Sequence, residues 1–206
     1  AASAGNHAQG VAAAAAILGA AATVFMPVGA SIAKLSATRS YGATVHLVGE
    51  TLEGSLEAAR AMSAETGAVL VHPFDHPDIL RGQGTVGLEI LQQVPEAATI
   101  VVAAGGGGLL AGIAIAAKDL RPDIRVVGVQ AASAAAWPGS LAAGHPVRAR
   151  EMTTLADGIA VDQPSDLTYE YVSGLVDDML TVTEGEISQA ILLLLERAKL
   201  VVEPAG

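Results

Sequence analysis

The chain contains no cysteine, which excludes disulfides and thiolate metal sites. Aromatic residues make up only 3 %, so a core must close through small and aliphatic side chains. Positive charge is scarce: 11 Lys and Arg stand against 21 Asp and Glu, for a formal net charge of −10. That balance argues against nucleic acid as a partner, because a polyanion is drawn by a basic surface. No apolar run has the length of a membrane span, since the alanine-rich stretches are broken by glycine and polar residues. No signal-peptide pattern is visible, and a cytoplasmic protein with neither nucleic acid nor membrane as partner is expected. The first residue is not Met, and neither Ala1-Ala2-Ser3-Ala4-Gly5-Asn6 nor Glu203-Pro204-Ala205-Gly206 reads as a natural terminus. The expectation is a fragment with sequence missing on both sides and no strand leading into its first motif.

What the chain has is small residues, with 51 % hydrophobic content in 206 positions. That is enough for one large domain or two small ones. Its most informative stretch is Gly105-Gly106-Gly107-Gly108. The quartet follows an apolar run ending Val101-Val102-Ala103-Ala104 and precedes Leu109 to Lys118, giving the order strand, glycine turn, helix. Glycine admits positive φ and leaves no Cβ in a ligand's way. The N–H groups of such a turn and of the helix start converge where an anion such as phosphate fits. A tight turn with close helix packing is the alternative, for which one or two glycines suffice. No Lys-Ser/Thr follows and the spacing is not GxGxxG, so neither ATP nor a dinucleotide is the natural ligand.

Elsewhere the pattern alternates. Helices are predicted over residues 5–18, 31–41, 51–66, 78–94, 109–120, 131–141, 167–176 and 184–200. Strands are predicted at 22–26, 44–48, 68–71, 98–104, 124–129 and 179–182. Short βα alternation favours parallel sheets with helices on both faces. Ligands of such sheets bind beyond the carboxyl ends of the strands, where the loop 3–9, Phe74-Asp75, the glycine quartet and the loop after Val129 are expected to meet. His72-Pro73-Phe74-Asp75-His76-Pro77 reads as a domain crossing. His72 and His76 are spaced as zinc ligands are, but they lie in a Pro-rich loop without a third ligand. Trp137 reads as a packing anchor or an interface residue, and Asp177-Asp178 as a solvated turn.

Ser3-Ala4-Gly5-Asn6-His7-Ala8-Gln9-Gly10, Pro73-Phe74-Asp75-His76-Pro77, Gly82-Gln83-Gly84-Thr85, the glycine quartet, Ala156-Asp157-Gly158 and Glu203-Pro204 occur in that order. Together they resemble the pyridoxal-phosphate enzymes of the tryptophan-synthase-β fold (fold type II), threonine/serine dehydratases first and serine racemases next. The resemblance covers the whole chain. It implies an α/β protein with two open, mainly parallel sheets flanked by helices. Residues 1–75 would form the smaller domain and 76–206 the larger, cofactor-binding one. It implies pyridoxal 5'-phosphate as cofactor, with Gly105, Gly106, Gly107, Gly108 and the Leu109 N–H on its phosphate. Asn6 would bond the ring hydroxyl, Gly158 and Glu203 would lie near the ring, and Ser3, Ala4, Gly5, Asn6 and His7 would take the substrate carboxylate. The implied reaction removes the Cα proton, with the cofactor as electron sink, and then the β-hydroxyl. L-threonine gives 2-oxobutanoate, L-serine gives pyruvate, and both release ammonia. The partner is thus a small hydroxy amino acid, and a homodimer or homotetramer is implied.

The chain departs from the family pattern in three places. The Schiff-base lysine of this family lies upstream of the Ser3–Gly10 motif. Lys34, Lys118 and Lys199, the only lysines here, each read as a surface side chain, so the catalytic residue is unassigned. Serine racemases carry a serine at the position of Ala4, so alanine favours elimination over racemisation. Relatives that bind a divalent cation place carboxylates where this chain has Gln130 and Ala136, so no metal is expected there. A racemase or hydroxyaspartate-dehydratase activity stands as the alternative within the same chemistry. A catalytically inactive fragment of the fold is the alternative outside it. A generic nucleotide binder lacks the acidic residue it would need at Gln130.

Overall fold

The structure is a computed structural model that describes residues 1–3 and 5–206. It divides into two compact units, Ala1–Pro73 and Phe74–Gly206.

The first unit is built on two parallel strands, β1 (Thr23–Met26) and β2 (Thr44–Leu47), with helices α1 (Asn6–Leu18), α2 (Ile32–Ser40) and α3 (Leu52–Thr66). Side chains alternate across a strand, and β1 uses both faces. Val24 and Met26 pack with Ala8 and Ala12 of α1, while Phe25 packs with Leu56 and Ala59 of α3. Alanine at the α1 contacts brings that helix close to the sheet. Both α1 and α3 stop at glycines in the left-handed conformation, Gly19 and Gly67. Contrary to the expectation of no leading strand, Ala2 bridges Phe25 in parallel. Phe25 N–H donates to Ala1 O and Ser3 N–H to Phe25 O. Ala1, Ala2 and Ser3 therefore run extended beside β1 through a single bridge.

The predicted strand at 68–71 does not form. A strand exists only through a neighbour's ladder, and Val71 O is met by the His7 ring rather than by a backbone amide. Val69 is 87 % exposed, and only Leu70 leans on the core beside Phe25 and Leu56.

The second unit holds a three-stranded parallel sheet in the order β3 (Thr99–Ala103), β4 (Arg125–Ala131), β5 (Asp178–Val182). Its helices are α4 (Pro77–Gln93), α5 (Gly108–Leu120), α6 (Trp137–Ala143), α7 (Asp166–Leu175) and α8 (Glu184–Leu193). One sheet face, through Ile100, Val102 and Val126, joins Leu110, Ile113 and Val172 in the main core. On the other face a cleft of about 400 Å³ opens between Val101, Val129 and the Ile187 and Ile191 side chains of α8. Reciprocal capping boxes start α7 (Ser165 with Thr168) and α8 (Thr183 with Glu186).

Two predicted helices are broken. Residues 131–141 divide into a single 3-10 turn, Ala132–Ala134, and α6. The break falls where Pro138, lacking an N–H, cannot continue a helix but suits the first turn of a new one, and Gln130 Oε1 accepts the Trp137 N–H at that restart. The last helix loosens into a π turn, Leu194–Ala198, and ends with Lys199 at φ 59°. Lys118 is no plain surface lysine. Its ammonium lies 2.8 Å from Asp177, whose carboxylate also accepts the Val126 N–H at 2.7 Å. Asp177 therefore ties the end of α5 to the entry of β5 and is no solvated turn residue. The Lys118 ammonium, then the Val126 N–H, hold its pKa below the ordinary value.

Candidate active site

In the first unit, Ser3 and Gly5 are buried, Asn6 is exposed and His7 is half-buried. Ala4 lies outside the described residues. Ser3 Oγ accepts the Gly5 N–H at 3.1 Å, closing the turn into α1. Gly5 is the N-cap and supplies no side-chain cap, and the positive end of a helix lies at this turn, where an anion is favoured. Lys34 comes into this turn: a Cβ on Gly5 would lie 3.3 Å from its Nζ. The expected surface lysine is in fact packed against the motif.

His7 Nε2 lies 3.1 Å from Val71 O, which makes Nε2 the protonated nitrogen and Val71 the acceptor. Burial pushes the imidazole below its ordinary pKa, and the Val71 carbonyl offsets only part of this. The unfolded chain therefore takes up a proton at His7 before the folded chain does. This contribution is intact above the model-peptide value of 6.5 and is lost as pH falls through the lower folded value. Urea midpoints are expected to drop between about pH 7.5 and about pH 5.5, with a smaller drop in His7→Gln. Equal drops in both proteins would assign the acid limb to other groups.

In the second unit, β3 delivers the chain into the glycine turn and α5 begins at Gly108. Of the four glycines only Gly107 has a positive φ, +93°. All four are crowded, and by protein atoms. A Cβ on Gly106 would lie 2.5 Å from the Phe74 ring, one on Gly108 2.8 Å from Phe74 Cβ, one on Gly105 3.1 Å from Ile159 Cα, and one on Gly107 would strike the Trp137 ring. Packing alone thus calls for glycine at 106, 107 and 108 and leaves little room at 105, so the number of glycines does not by itself argue for a ligand.

The hydrogen bonds of the turn make that argument. Trp137 Nε1–H donates to Gly105 O at 2.8 Å, and Thr168 Oγ1–H to Gly106 O at 2.8 Å. In a planar trans peptide the C=O and the following N–H point in opposite directions, and the described chain has no cis bond. Pinning those two carbonyls against the protein turns the Gly106 and Gly107 N–H groups away from it. The N–H groups of Gly108 and Leu109 add the uncapped first turn of α5. These amides sum to an anion cradle with the positive end of a helix behind it, and a phosphate group fits it.

Gly158 and Glu203 lie beside each other: a Cβ on Gly158 would be 3.9 Å from Glu203 Oε1. Through Ile159, next to Gly158 and against Gly105, they join the border of the glycine turn. Glu184 holds this region in place, accepting from Ser133 Oγ and from the Leu155 N–H. Gln130 is 1 % exposed, and its Nε2 has no partner among the described residues. No group of three or more His, Asp or Glu able to hold a metal is found among the described residues. No helix there is long and apolar enough to cross a membrane.

The family model described as "Pyridoxal-phosphate dependent enzyme" matches residues 1–206. The chain belongs to the pyridoxal-phosphate dependent enzymes. Within this family it is 50 % identical over 206 residues to the L-threonine ammonia-lyase of Thermotoga maritima, matching 100 % of this chain and 51 % of the relative. It is 42 % identical over 204 residues to the L-threonine dehydratase catabolic TdcB of Escherichia coli, matching 99 % of this chain and 62 % of that protein. The chain spans about half the length of the first of these relatives. Among solved structures, the threonine deaminase from T.th. superposes with a TM-score of 0.93 at 43 % identity, covering 100 % of this chain and 68 % of that one. Maize serine racemase superposes with 0.95 at 38 % identity, covering 100 % and 62 %. The expected family and the fold of parallel sheets flanked by helices are both borne out.

Sequence reasoning missed Trp137 and Thr168 as parts of the cradle. No local signal marks a hydrogen bond that spans 62 residues, and Thr168 reads simply as the third helical residue after a serine cap.

Proposed function

We propose that this chain is the cofactor- and substrate-binding part, incomplete for catalysis by itself, of an enzyme that eliminates the β-hydroxyl of L-threonine, and of L-serine, to give a 2-oxo acid and ammonia. The observation that carries this reading is the pinned glycine turn in a chain half identical, along its whole length, to an L-threonine ammonia-lyase. The Gly106, Gly107, Gly108 and Leu109 amides would hold the phosphate of pyridoxal 5'-phosphate, with Asn6, Gly158 and Glu203 toward its ring. Bound there, the cofactor supplies an electron sink for the carbanion formed when Cα loses its proton. Ser3, Gly5, Asn6 and His7, with Ala4 between them in sequence, would hold the substrate carboxylate at the uncapped start of α1. A neutral His7 donating Nε2–H to Val71 fixes the second residue of that helix and adds no charge to the site. The proton-transferring lysine belongs upstream of Ser3 in the whole protein. A homodimer or homotetramer in the cytoplasm is the working form this reading takes.

The test is a substrate panel on the full-length enzyme: L-threonine, L-serine, D- and L-threo-3-hydroxyaspartate, and L-serine racemisation followed by chiral analysis. The expected result is 2-oxobutanoate and ammonia from L-threonine in equal amounts, without D-serine. Racemisation faster than elimination would replace this reading with the serine racemase one, which the likeness to maize serine racemase supports.

A further inference from the structure

We propose that Trp137 and Thr168 are positioning residues for the anion cradle, setting the direction of its amides from behind. This rests on the reading that the glycine turn takes the cofactor phosphate, and it assigns a role to two side chains that do not face the ligand. Trp137 is completely buried; its indole N–H fixes Gly105 O, and its ring edge fills the space a Gly107 Cβ would occupy. The Trp137 side chain is itself held. Its backbone N–H is bound by the buried Gln130 side chain at 2.8 Å, and its ring stacks on Tyr169 at 6.4 Å and 5°. Thr168 is also completely buried, and its hydroxyl bonds Gly106 O while Ser165 Oγ receives its N–H. Two consecutive peptide planes are thus each fixed by one donor from a different helix, α6 and α7. Without those donors, each glycine peptide is free to rotate, because glycine imposes no preferred orientation of its own. The cradle's order is therefore imposed by its surroundings. A fixed set of amides binds an anion more tightly than one that must be ordered at the moment of binding.

The experiment uses the full-length enzyme, stripped of cofactor and titrated with pyridoxal 5'-phosphate and, separately, with pyridoxal, which lacks the phosphate. The variants are Trp137→Phe, which keeps a stacking ring but loses the donor, Thr168→Val, and Thr168→Ser, which keeps the hydroxyl. The phosphorus NMR resonance of the bound phosphate is recorded for each. Trp137→Phe and Thr168→Val are each expected to weaken pyridoxal 5'-phosphate by about tenfold, the scale of one lost hydrogen bond. Both shift the phosphorus resonance and leave pyridoxal binding unchanged, while Thr168→Ser restores both readouts. Equal weakening of both ligands would show a merely structural role and overturn the proposal, as would unaltered affinity for pyridoxal 5'-phosphate. If the unsubstituted enzyme itself does not prefer the phosphorylated ligand, the cradle reading fails, and the positioning proposal with it. If it does prefer it and the variants match it, only the positioning role falls.

Discussion

Replacing Gly107 by alanine is expected to weaken cofactor binding by at least about a hundredfold, about 2.7 kcal/mol, and to destabilise the second unit as well. Two independent costs meet at this residue. Its φ of +93° lies where an L side chain is strained, at a cost of about 1–3 kcal/mol. Its Cβ would also collide with the Trp137 ring and approach Thr168 Cβ to 3.1 Å. Those are the two residues that hold the carbonyls of the turn, so relief of the collision must move at least one of them. The cradle amides then lose their direction. Gly144→Ala is the matched control: φ there is +76°, but no atom lies within 4 Å of an added Cβ. It carries the backbone cost alone and leaves cofactor affinity unchanged. Absorbance titration with pyridoxal 5'-phosphate and urea unfolding of the full-length enzyme read both effects. Unchanged affinity in Gly107→Ala would remove the cradle from the phosphate site.

Gly112→Ala is expected to destabilise the second unit by about 1–3 kcal/mol, against what helix propensity predicts. Gly112 lies inside α5, where alanine is favoured over glycine by about 1 kcal/mol. Its added Cβ, however, would stand 2.5 Å from Leu80 O and 2.8 Å from Gly84 N, both backbone atoms of α4. Backbone cannot swing aside as a long side chain can, so the two helices must separate and loosen the core around Leu80 and Ile113. Gly82→Ala, within α4 and with nothing within 4 Å, is expected to do the reverse and stabilise by about 0.5–1 kcal/mol. Opposite signs for two Gly→Ala changes in packed helices would confirm that crowding, not propensity, decides. A stabilising Gly112→Ala would show that α4 and α5 have room to spare.

The sequence was legible where local rules operate. Glycines 19 and 67 end helices in the left-handed conformation that only glycine takes cheaply, and β3, the glycine turn and α5 follow one another as their pattern requires. Local rules failed where a distant group decides. Val69-Leu70-Val71 has the composition of a strand but no ladder beside it. The alanine-rich run after Gln130 favours a helix only as far as Pro138, which has no N–H and cannot continue one, and the Gln130 side chain takes the Trp137 N–H where the helix restarts. The site shows the same division. The glycine quartet was visible as an anion turn, yet the reason for its four glycines was not. Phe74, Ile159 and Trp137 crowd it from distant parts of the chain, Trp137 bonding Gly105 across 32 positions. The roles proposed for Asn6, Gly158 and Glu203 rest on family motifs, since no residue type there carries a distinctive chemistry alone.

Trp137 is the chain's one tryptophan, and its place gives the protein a built-in optical gauge. A fully buried indole with its N–H engaged emits at short wavelength, and the colour shifts red once water or a freed N–H enters. No other indole in these 206 residues contributes, so the Trp137 emission, read as the difference between the enzyme and its Trp137→Phe variant, reports on the wall behind Gly105. Titrating in a phosphate ester while watching that emission would follow the turn itself without a label.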